Sequence, residues 1–232
     1  MESLDGARTR RKFLFSSTRG LSGAFLAATG ADFIASQRLL AQTRLTPDAA
    51  FNQLLAGNKR FTAGRLSSLR QDLAIVRQKT AQKQEPFAAV LSCADSRIPV
   101  ETVFDQTIGQ IFVTRVAGNV LTPEIIASLE YGVAVLGVTA ILVMGHSNCG
   151  AVKAALQGEK APGQISALYP HLQPAVDQAG PNLDATIQAN AKLQAVLLRK
   201  ASTVVSEFVK GGKLKVASGY YDVASGGVTL FD

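Results

Sequence analysis

The sequence is poor in cysteine, in charged residues and in long apolar runs, and each shortage excludes a class of protein. Two cysteines among 232 residues cannot form the disulfide framework of a small secreted scaffold. Charged side chains make up 18% of the chain and hydrophobic ones 47%, which excludes a disordered protein. The uncharged run from Leu21 to Ala31 is too short to span a bilayer comfortably. What remains is a chain long enough to bury one sizeable core.

The charge of the chain is mildly basic and shows no dense patch. The net charge is +7, but six basic and three acidic residues lie within residues 1–41, which leaves +4 for the rest. Nucleic-acid binding depends on clustered Lys and Arg side chains that neutralise phosphates. The sequence therefore predicts no nucleic-acid partner.

The N-terminal segment has the layout of an export signal. The stretch Thr9-Arg10-Arg11-Lys12-Phe13-Leu14 places paired arginines before the apolar run Leu21 to Ala31, as a charged region precedes the apolar region of a signal peptide. The arginine pair followed by Phe and Leu resembles a twin-arginine signal. An amphipathic helix with a chance arginine pair is the alternative.

Two features leave the processing of this segment open. Asp32 interrupts the apolar run, and Leu39 fits poorly two places before a cleavage site at Ala41. We predict a targeting segment over 1–41, a folded domain over 42–232 and an exported, periplasmic or extracytoplasmic protein. No stable membrane span is expected in the mature form, and the protein would be cytoplasmic if the signal is not functional.

Strand-like and helix-like patterns alternate after the targeting segment. The apolar runs that fit buried strands are 87–91, 111–113, 140–144, 213–221 and 228–231. The helical patterns begin at Thr46-Pro47-Asp48 and Thr122-Pro123-Glu124 and recur over 71–82, 150–157, 164–178 and 184–208. Strands buried on both faces and separated by helices predict a single α/β domain with a mostly parallel central sheet flanked by helices.

The two cysteines follow the carboxyl ends of two predicted strands. Cys93 ends the first strand, and Cys149 lies three residues after His146, past the strand that ends at Met144. Sites in open parallel sheets gather outside the carboxyl ends of the strands. Two thiolates and an imidazole suit Zn²⁺, and three protein ligands with an open fourth position are typical of a catalytic zinc site. A disulfide and a pair of inert buried cysteines remain alternatives.

Two charged residues follow Cys93 in the same loop. Asp95 and Arg97 are two positions apart, which is close enough for an ion pair. A guanidinium keeps a neighbouring carboxylate ionised and oriented. Beside Zn²⁺, such a carboxylate accepts a hydrogen bond from zinc-bound water or hydroxide, or ligates the metal itself. An ordinary loop salt bridge is the alternative.

The motifs Cys93-Ala94-Asp95-Ser96-Arg97 and His146-Ser147-Asn148-Cys149-Gly150 closely resemble the signature of the beta-class carbonic anhydrases. The resemblance extends over residues 47 to 231 and includes the stretches 115–119, 128–132 and 219–222. It implies that family's fold, one zinc ion per chain and CO₂ or bicarbonate as the small-molecule substrate. The implied reaction is the reversible hydration of CO₂ to bicarbonate and a proton, by attack of zinc-bound hydroxide on CO₂.

The resemblance implies roles for five residues around the metal. Cys93, His146 and Cys149 match the family's zinc ligands. Asp95 and Arg97 match its catalytic dyad, in which Asp95 either receives the hydrogen bond of the hydroxide or becomes a fourth ligand in a closed state. Whether the resting site is open or closed by the aspartate is left open by the sequence.

The resemblance also implies a substrate pocket. Gln84 matches the glutamine with which the plant-like subgroup holds CO₂ or bicarbonate, and it favours the constantly open form. Phe112, Ala117 and Tyr131 match that subgroup's small apolar pocket, and the Gly150 amide is a candidate for stabilising oxygen charge. Core packing for the two aromatic residues and a surface amide for Gln84 are the alternatives.

Three other functions fit parts of the pattern. Hydrolases of carbonyl sulfide or carbon disulfide use the same fold and ligand set. A non-catalytic zinc- or bicarbonate-binding protein would keep the ligands without turnover, and a redox protein would join Cys93 to Cys149. The three ligands together with Asp95, Arg97 and Gln84 favour the carbonic anhydrase hypothesis. His171 is expected to be a surface residue, which leaves the proton acceptor unidentified.

Family members usually assemble as dimers or larger even oligomers whose N-terminal helices cross to the neighbouring subunit. The incomplete apolar stripe of Phe51, Leu54, Leu55 and Phe61 is consistent with a helix that is buried against a partner. We therefore predict a homodimer or homotetramer.

Overall fold

The computed structural model describes residues 43, 45–158 and 160–231. The predicted targeting segment lies outside these residues. Within them, one sheet has the strand order β2-β1-β3-β4-β5. The strands are β1 (Ala88–Ser92), β2 (Ile111–Arg115), β3 (Ala140–His146), β4 (Lys215–Tyr221) and β5 (Val228–Leu230). All neighbours are parallel except β4 and β5, so the predicted α/β domain with a mostly parallel sheet is confirmed.

Helices connect and flank these strands. They are α1 (Pro47–Thr62), α2 (Leu73–Thr80), α3 (Val100–Val103), α4 (Pro123–Ala134), α5 (Gly150–Gln157), α6 (Tyr169–Ala179), α7 (Leu183–Ala201) and α8 (Thr203–Lys210). Short 3₁₀ turns cover Ser68–Arg70, Ala117–Asn119 and Ile165–Leu168. The predicted start of α1 is confirmed, because the Thr46 hydroxyl accepts the Ala49 N–H at 3.3 Å. In the part of the chain that is described, no helix is both long and apolar enough to cross a membrane.

The sheet is buried on both faces, which explains why its central strands are apolar throughout. Every residue of β3 is buried. Leu142 packs with α1 residues on one face, and Val143 packs with α4 and α8 residues on the other. Helix α7 packs directly on β3, because a Cβ on Gly145 would lie only 2.9 Å from Ile187 Cγ2. Burial of each such large side chain contributes about 1.5–3 kcal/mol.

Three predicted elements differ clearly from the structure. The helix expected over 164–178 begins as the 3₁₀ turn Ile165–Leu168, and α6 starts at Tyr169. The helix expected over 184–208 is two helices, because Ser202 leaves helical geometry and its hydroxyl accepts the Val205 N–H at 3.0 Å to begin α8. The strand expected to end at Met144 continues to His146, because β4 pairs with it as far as Tyr221. His146 therefore lies on the strand itself.

The apolar stripe of α1 is used within this chain. Phe51 and Leu54 are only 4% and 1% exposed in the core, and Leu55 and Phe61 are half-buried. The expectation that this stripe is buried against a partner is wrong for Phe51 and Leu54, because α1 covers the chain's own sheet. The stripe therefore gives no support for an oligomer.

Candidate metal centre

The structure brings the three predicted ligands together at the carboxyl ends of two neighbouring strands. Because β1 and β3 are parallel and Ser92 pairs with Met144, the chain leaving β1 lies beside the end of β3. The ligand atoms of Cys93, His146 and Cys149 all lie within 4.8 Å of one another, and the three residues are buried. Both thiols are free, with 4.0 Å between the two Sγ atoms.

His146 presents one ring nitrogen to the two thiols. Its Nδ1 lies 3.0 Å from the Ser147 carbonyl oxygen, and because a carbonyl can only accept, we assign the proton to Nδ1. The Nε2 lone pair is then buried, and it has no hydrogen-bond partner among the described groups. A buried polar atom of this kind is costly unless it binds something. Two thiols and this imidazole therefore fit Zn²⁺.

The two thiols favour a single negative charge. A hydrogen bond from the Cys149 thiol lowers the pKa of Cys93 against the opposing effect of burial, and the hydrogen bond from the Gly118 N–H lowers it as well. The same contact, followed by burial, raises the pKa of the Cys149 thiol. Because the thiolate is the form that binds metals, the pocket attracts a cation.

The predicted ion pair forms at the edge of this cluster. Arg97 donates to both carboxylate oxygens of Asp95, from Nε at 2.9 Å and from Nη2 at 2.7 Å. These bonds hold the pKa of the Asp95 carboxyl well below its usual range. Asp95 Oδ2 lies 3.9 Å from His146 Nε2, and Arg97 also reaches the Asn148 carbonyl at 3.3 Å. An ionised acceptor therefore lies beside the three ligands.

Arg115 is a residue of the site to which the sequence reasoning assigned no role. Its Nε donates to the Cys93 carbonyl at 3.1 Å, and its Nη2 donates to the Asp95 carbonyl. One guanidinium therefore holds the loop that carries both a ligand and the acceptor. The only signal for it in the sequence was its place in the stretch 115–119.

The residues predicted to form the substrate pocket differ in their burial and in their contacts. Phe112 on β2 and Tyr131 on α4 lie together, with ring centroids 6.3 Å apart, and Tyr131 is 48% exposed. Ala117 is half-buried in its 3₁₀ turn, and Gly150 is exposed at the start of α5. Gln84 is exposed before β1, and no hydrogen bond among the described residues joins it to the ligands. The structure thus places Phe112 and Tyr131 in contact with each other, but it shows no contact between Gln84 and the three metal ligands.

Proteins of known family are similar to this chain in sequence. The family described as carbonic anhydrase matches residues 88–228. Carbonic anhydrase 2 of Mycobacterium tuberculosis is 35% identical over 194 residues, which cover 80% of this chain and 93% of that protein. The carbonic anhydrase of Mycolicibacterium smegmatis is 35% identical over 193 residues, with 79% and 93% covered.

Solved structures of beta-carbonic anhydrases are similar to this chain in fold. The Coccomyxa beta-carbonic anhydrase in complex with acetazolamide has a TM-score of 0.63 at 28% identity, covering 77% of this chain and 84% of that one. The beta-carbonic anhydrase CafA of Aspergillus fumigatus has a TM-score of 0.62 at 27% identity, with 78% and 90% covered.

Proposed function

Because this chain belongs to the beta-class carbonic anhydrase family, we propose that it is a zinc enzyme that catalyses the reversible hydration of CO₂ to bicarbonate and a proton. The observation that carries the proposal is the convergence of the Cys93, His146 and Cys149 ligand atoms within 4.8 Å, beside an ionised Asp95. This set provides metal ligands and a fixed acceptor in one place.

Cys93, His146 and Cys149 would hold the metal. When bound in such a site, zinc lowers the pKa of water to about 7 and so supplies a nucleophile at neutral pH. The protein's part is to keep the ligands in the right form. Hydrogen bonding to Cys93 favours its thiolate, and the bond from His146 Nδ1 to Ser147 leaves Nε2 free to bind.

Asp95 and Arg97 orient the attacking oxygen. Arg97 keeps Asp95 ionised, so the carboxylate can only accept a hydrogen bond. An attacking hydroxyl group that donates a hydrogen bond to Asp95 would turn a lone pair toward the carbon of CO₂. The pair thus fixes the direction of attack rather than removing a proton.

Phe112, Ala117 and Tyr131 would form the walls that hold CO₂, which is apolar and small. The tilted contact between the Phe112 and Tyr131 rings supports this role. The Gly150 N–H, at the start of α5, would stabilise negative charge on the substrate oxygen. Gln84, in the exposed segment before β1, would donate to the same substrate. His171 is exposed on α6, and buffer can carry the released proton.

The test is stopped-flow CO₂ hydration by purified full-length protein of known zinc content, from about pH 6.5 to about 9. The hydration rate should follow the zinc content. Cys149→Ser should lose both zinc and activity, because a serine oxygen does not replace a thiolate ligand. Ser128→Ala, on α4, is the control and should keep both.

Protein that holds stoichiometric zinc and hydrates no CO₂ at any pH would contradict the proposal. Hydrolysis of carbonyl sulfide and carbon disulfide would then be measured on the same sample, because the same fold and ligands also serve those reactions. Protein without zinc whose two cysteines stay unreactive toward a thiol reagent after denaturation without reductant would instead indicate a disulfide.

We also propose that the chain forms a homodimer or homotetramer. Four large apolar side chains around α2 are 49–77% exposed: Leu69, Leu73, Ile75 and Ile108. Ile75 and Ile108 also line a cavity of about 490 Å³. Exposed apolar surface of this kind is typical of an interface.

Light scattering after size-exclusion chromatography tests the assembly. The double variant Ile75→Asp with Ile108→Asp should reduce the mass toward that of one chain, because charge at an apolar contact opposes association. Ile165→Asp is the control, since Ile165 is equally exposed at 49% but lies on the turn Ile165–Leu168 rather than around α2. A wild-type protein of monomer mass would contradict the proposal.

Finally, we propose that residues 1–41 direct export by the twin-arginine route, on the sequence pattern alone. Arg10→Lys with Arg11→Lys should retain the protein in the cytoplasm of a bacterial host that has this route. Arg8→Lys with Arg19→Lys makes the same kind of substitution outside the pair, also without a change of charge, and should leave export intact. Wild-type protein found only in the cytoplasm would contradict the proposal.

A further inference from the structure

A chain of buried amide side chains on α7 leads to the backbone beside Cys93. Asn190 and Gln194 are one helical turn apart and only 1% and 4% exposed. Gln194 Nε2 donates to Asn190 Oδ1 at 3.1 Å, and Asn190 Nδ2 donates to the Gly118 carbonyl at 2.8 Å. The Gly118 N–H in turn donates to Cys93 Sγ at 3.3 Å. The amides therefore reach a predicted metal ligand through one residue.

Backbone groups that cannot exchange roles fix the orientation of both amides. The Leu121 N–H can only donate, so Gln194 turns Oε1 toward it at 2.9 Å. Gln194 Nε2 then donates to the His171 carbonyl at 3.1 Å and to Asn190. This leaves Asn190 Nδ2 facing the Gly118 carbonyl. A reversal of either amide would leave buried groups unpaired, which is costly.

The segment that these amides hold has an unfavourable backbone conformation. Gly118 has φ +74° and Asn119 has φ +46°, and both values lie in the left-handed region. The side chain of Asn119 is buried and has no hydrogen-bond partner among the described groups, so it gives no local support. Such a conformation persists only where its surroundings impose it. Asn190 and Gln194 do so from outside, through Gly118 and Leu121.

We propose that Asn190, oriented by Gln194, is a positioning residue of the metal site, which holds Gly118 so that its N–H points at Cys93 Sγ. This inference rests on the proposed zinc function. A hydrogen bond to a thiolate ligand stabilises its charge and directs its lone pair toward the metal. Loss of an outer partner of this kind typically costs about 10–100-fold in metal affinity or activity. Asn190 acts only through the Gly118 backbone.

The test compares Asn190→Leu with Thr186→Val in the full-length protein. Leucine has the same branched arrangement of heavy atoms and removes both hydrogen bonds. Thr186 lies one turn earlier on α7 and is also buried. Among the described residues its hydroxyl donates to the Gly180 and Asn182 carbonyls, at 3.2 and 2.8 Å, and not to the segment beside Cys93. Both variants should lose thermal stability, so stability alone does not separate positioning from ordinary structural support.

Zinc affinity and the absorption spectrum of cobalt-loaded protein separate a positioning role from ordinary structural support. In competition with a chromogenic chelator, Asn190→Leu should bind zinc at least about tenfold more weakly than wild type, and Thr186→Val should bind it normally. In cobalt-loaded protein, the thiolate-to-cobalt charge-transfer band should shift in Asn190→Leu alone, because the Gly118 hydrogen bond to Cys93 is weakened.

Asn190→Asp covers the case in which the leucine variant does not fold. Aspartate keeps an acceptor for Gln194 but, when ionised, has no donor for the Gly118 carbonyl, so we expect the same loss of zinc affinity and the same band shift. If the Asn190 variants match Thr186→Val in both measurements, the inference is overturned. A wild-type protein that binds no zinc would overturn the proposed function itself, so the two failures are distinguishable.

Discussion

The chemistry of the site is set by single hydrogen bonds that decide which atom carries a proton. The Ser147 carbonyl keeps the proton of His146 on Nδ1, so that Nε2 can bind a metal. Arg97 keeps Asp95 ionised by donating to both of its oxygens. Arg115 holds the loop between Cys93 and Asp95 by its carbonyls. Each of these neighbours acts through its charge or through a fixed acceptor atom. A substitution that keeps the shape of a side chain but changes its charge therefore tests the role of that charge.

Asp95→Asn should lower kcat for CO₂ hydration about 100-fold at unchanged zinc content. The amide keeps the shape of the side chain, but it gives Arg97 no charge to pair with and can donate as well as accept. The orientation of the attacking oxygen is then lost. Stopped-flow kinetics and zinc analysis of one sample measure both quantities.

Asp72→Asn is the matched control for this prediction. Asp72 is the exposed N-cap of α2 and accepts the Ala74 N–H at 2.8 Å, and asparagine caps a helix equally well. Its kcat should equal that of the wild type. An Asp95→Asn variant with full kcat would exclude Asp95 from the reaction.

At the scale of secondary structure, the site depends on where strands end and helices begin. The Ser147 N–H donates to the Tyr221 carbonyl at 2.9 Å, which ties the end of β3 to the end of β4. The break between α7 and α8 at Ser202 ends one helix and begins the next, and Val205 of α8 then packs in the same core cluster as Ala195 and Leu198 of α7. Both features depend on backbone N–H groups at the ends of elements, which donate hydrogen bonds outside the regular pattern of the helix or strand.

Ser202→Ala should lower the free energy of unfolding by about 1–2 kcal/mol. The change removes the hydroxyl that accepts the Val205 N–H at 3.0 Å and donates to Glu130 at 2.6 Å. Urea denaturation measures the loss. Ser128→Ala, which lies within a helix and donates only to the Glu124 carbonyl, should change stability by less than about 0.5 kcal/mol. Equal values for both variants would mean that α8 does not depend on this cap.

Gly57→Ala should lower the free energy of unfolding by about 3 kcal/mol. A Cβ at this position in α1 would lie 1.7 Å from the Phe104 carbonyl oxygen, so α1 would have to move away from the end of α3. Thermal denaturation measures the effect. Gly150→Ala is the stability control, because its Cβ would meet nothing within 4 Å. A Gly57→Ala protein as stable as the control would show that α1 can shift freely.

At the scale of the whole molecule, buried polar groups join distant parts of the chain. Asn58 on α1 donates to the Val103 and Gly226 carbonyls at 3.2 and 2.8 Å and accepts the Val228 N–H at 2.9 Å. The side chain of Asp105, which follows α3, is fully buried, and its carboxylate pairs with Arg60 on α1. These contacts anchor α1 to both the α3 loop and the β4–β5 turn.

The acid stability of the protein should depend on Asp105. Burial opposes its ionisation, but hydrogen bonds from Ser67, Ser68 and Arg60 outweigh this and hold the pKa of Asp105 well below its usual range. Because the pKa in the folded state is the lower one, the stabilisation is complete above about pH 4, the unfolded value. It is lost as the pH falls toward the folded value.

Asp105→Asn should therefore lose about 3 kcal/mol at neutral pH, because its amide cannot accept all of these donors. The difference from wild type should shrink below about pH 4. Urea denaturation between about pH 3 and 7 measures it. Glu85→Gln removes the exposed pair with Lys83 and should change stability by less than about 0.5 kcal/mol. A difference for Asp105→Asn that does not vary with pH would contradict the argument.

The features that the sequence determined by itself are those that depend on neighbouring residues. Apolar runs predicted the strands of the sheet, and Thr46 and Thr122 predicted two helix starts, because capping and periodicity are local effects. The ion pair of Asp95 and Arg97 also follows from their spacing. The position of the cysteines after strands predicted their meeting at one edge of a parallel sheet.

The tertiary structure decided the contacts between residues far apart in the chain. Nothing near Asn190 in the sequence indicates that it binds Gly118, and nothing near Arg115 indicates that it holds Cys93 and Asp95. The burial of the α1 stripe within its own chain was likewise not predictable, since an apolar stripe has the same pattern whether it covers this sheet or a partner. Local propensity acts over a few residues, whereas the packing of helices on a sheet selects which distant polar groups meet, and only the folded chain specifies that selection.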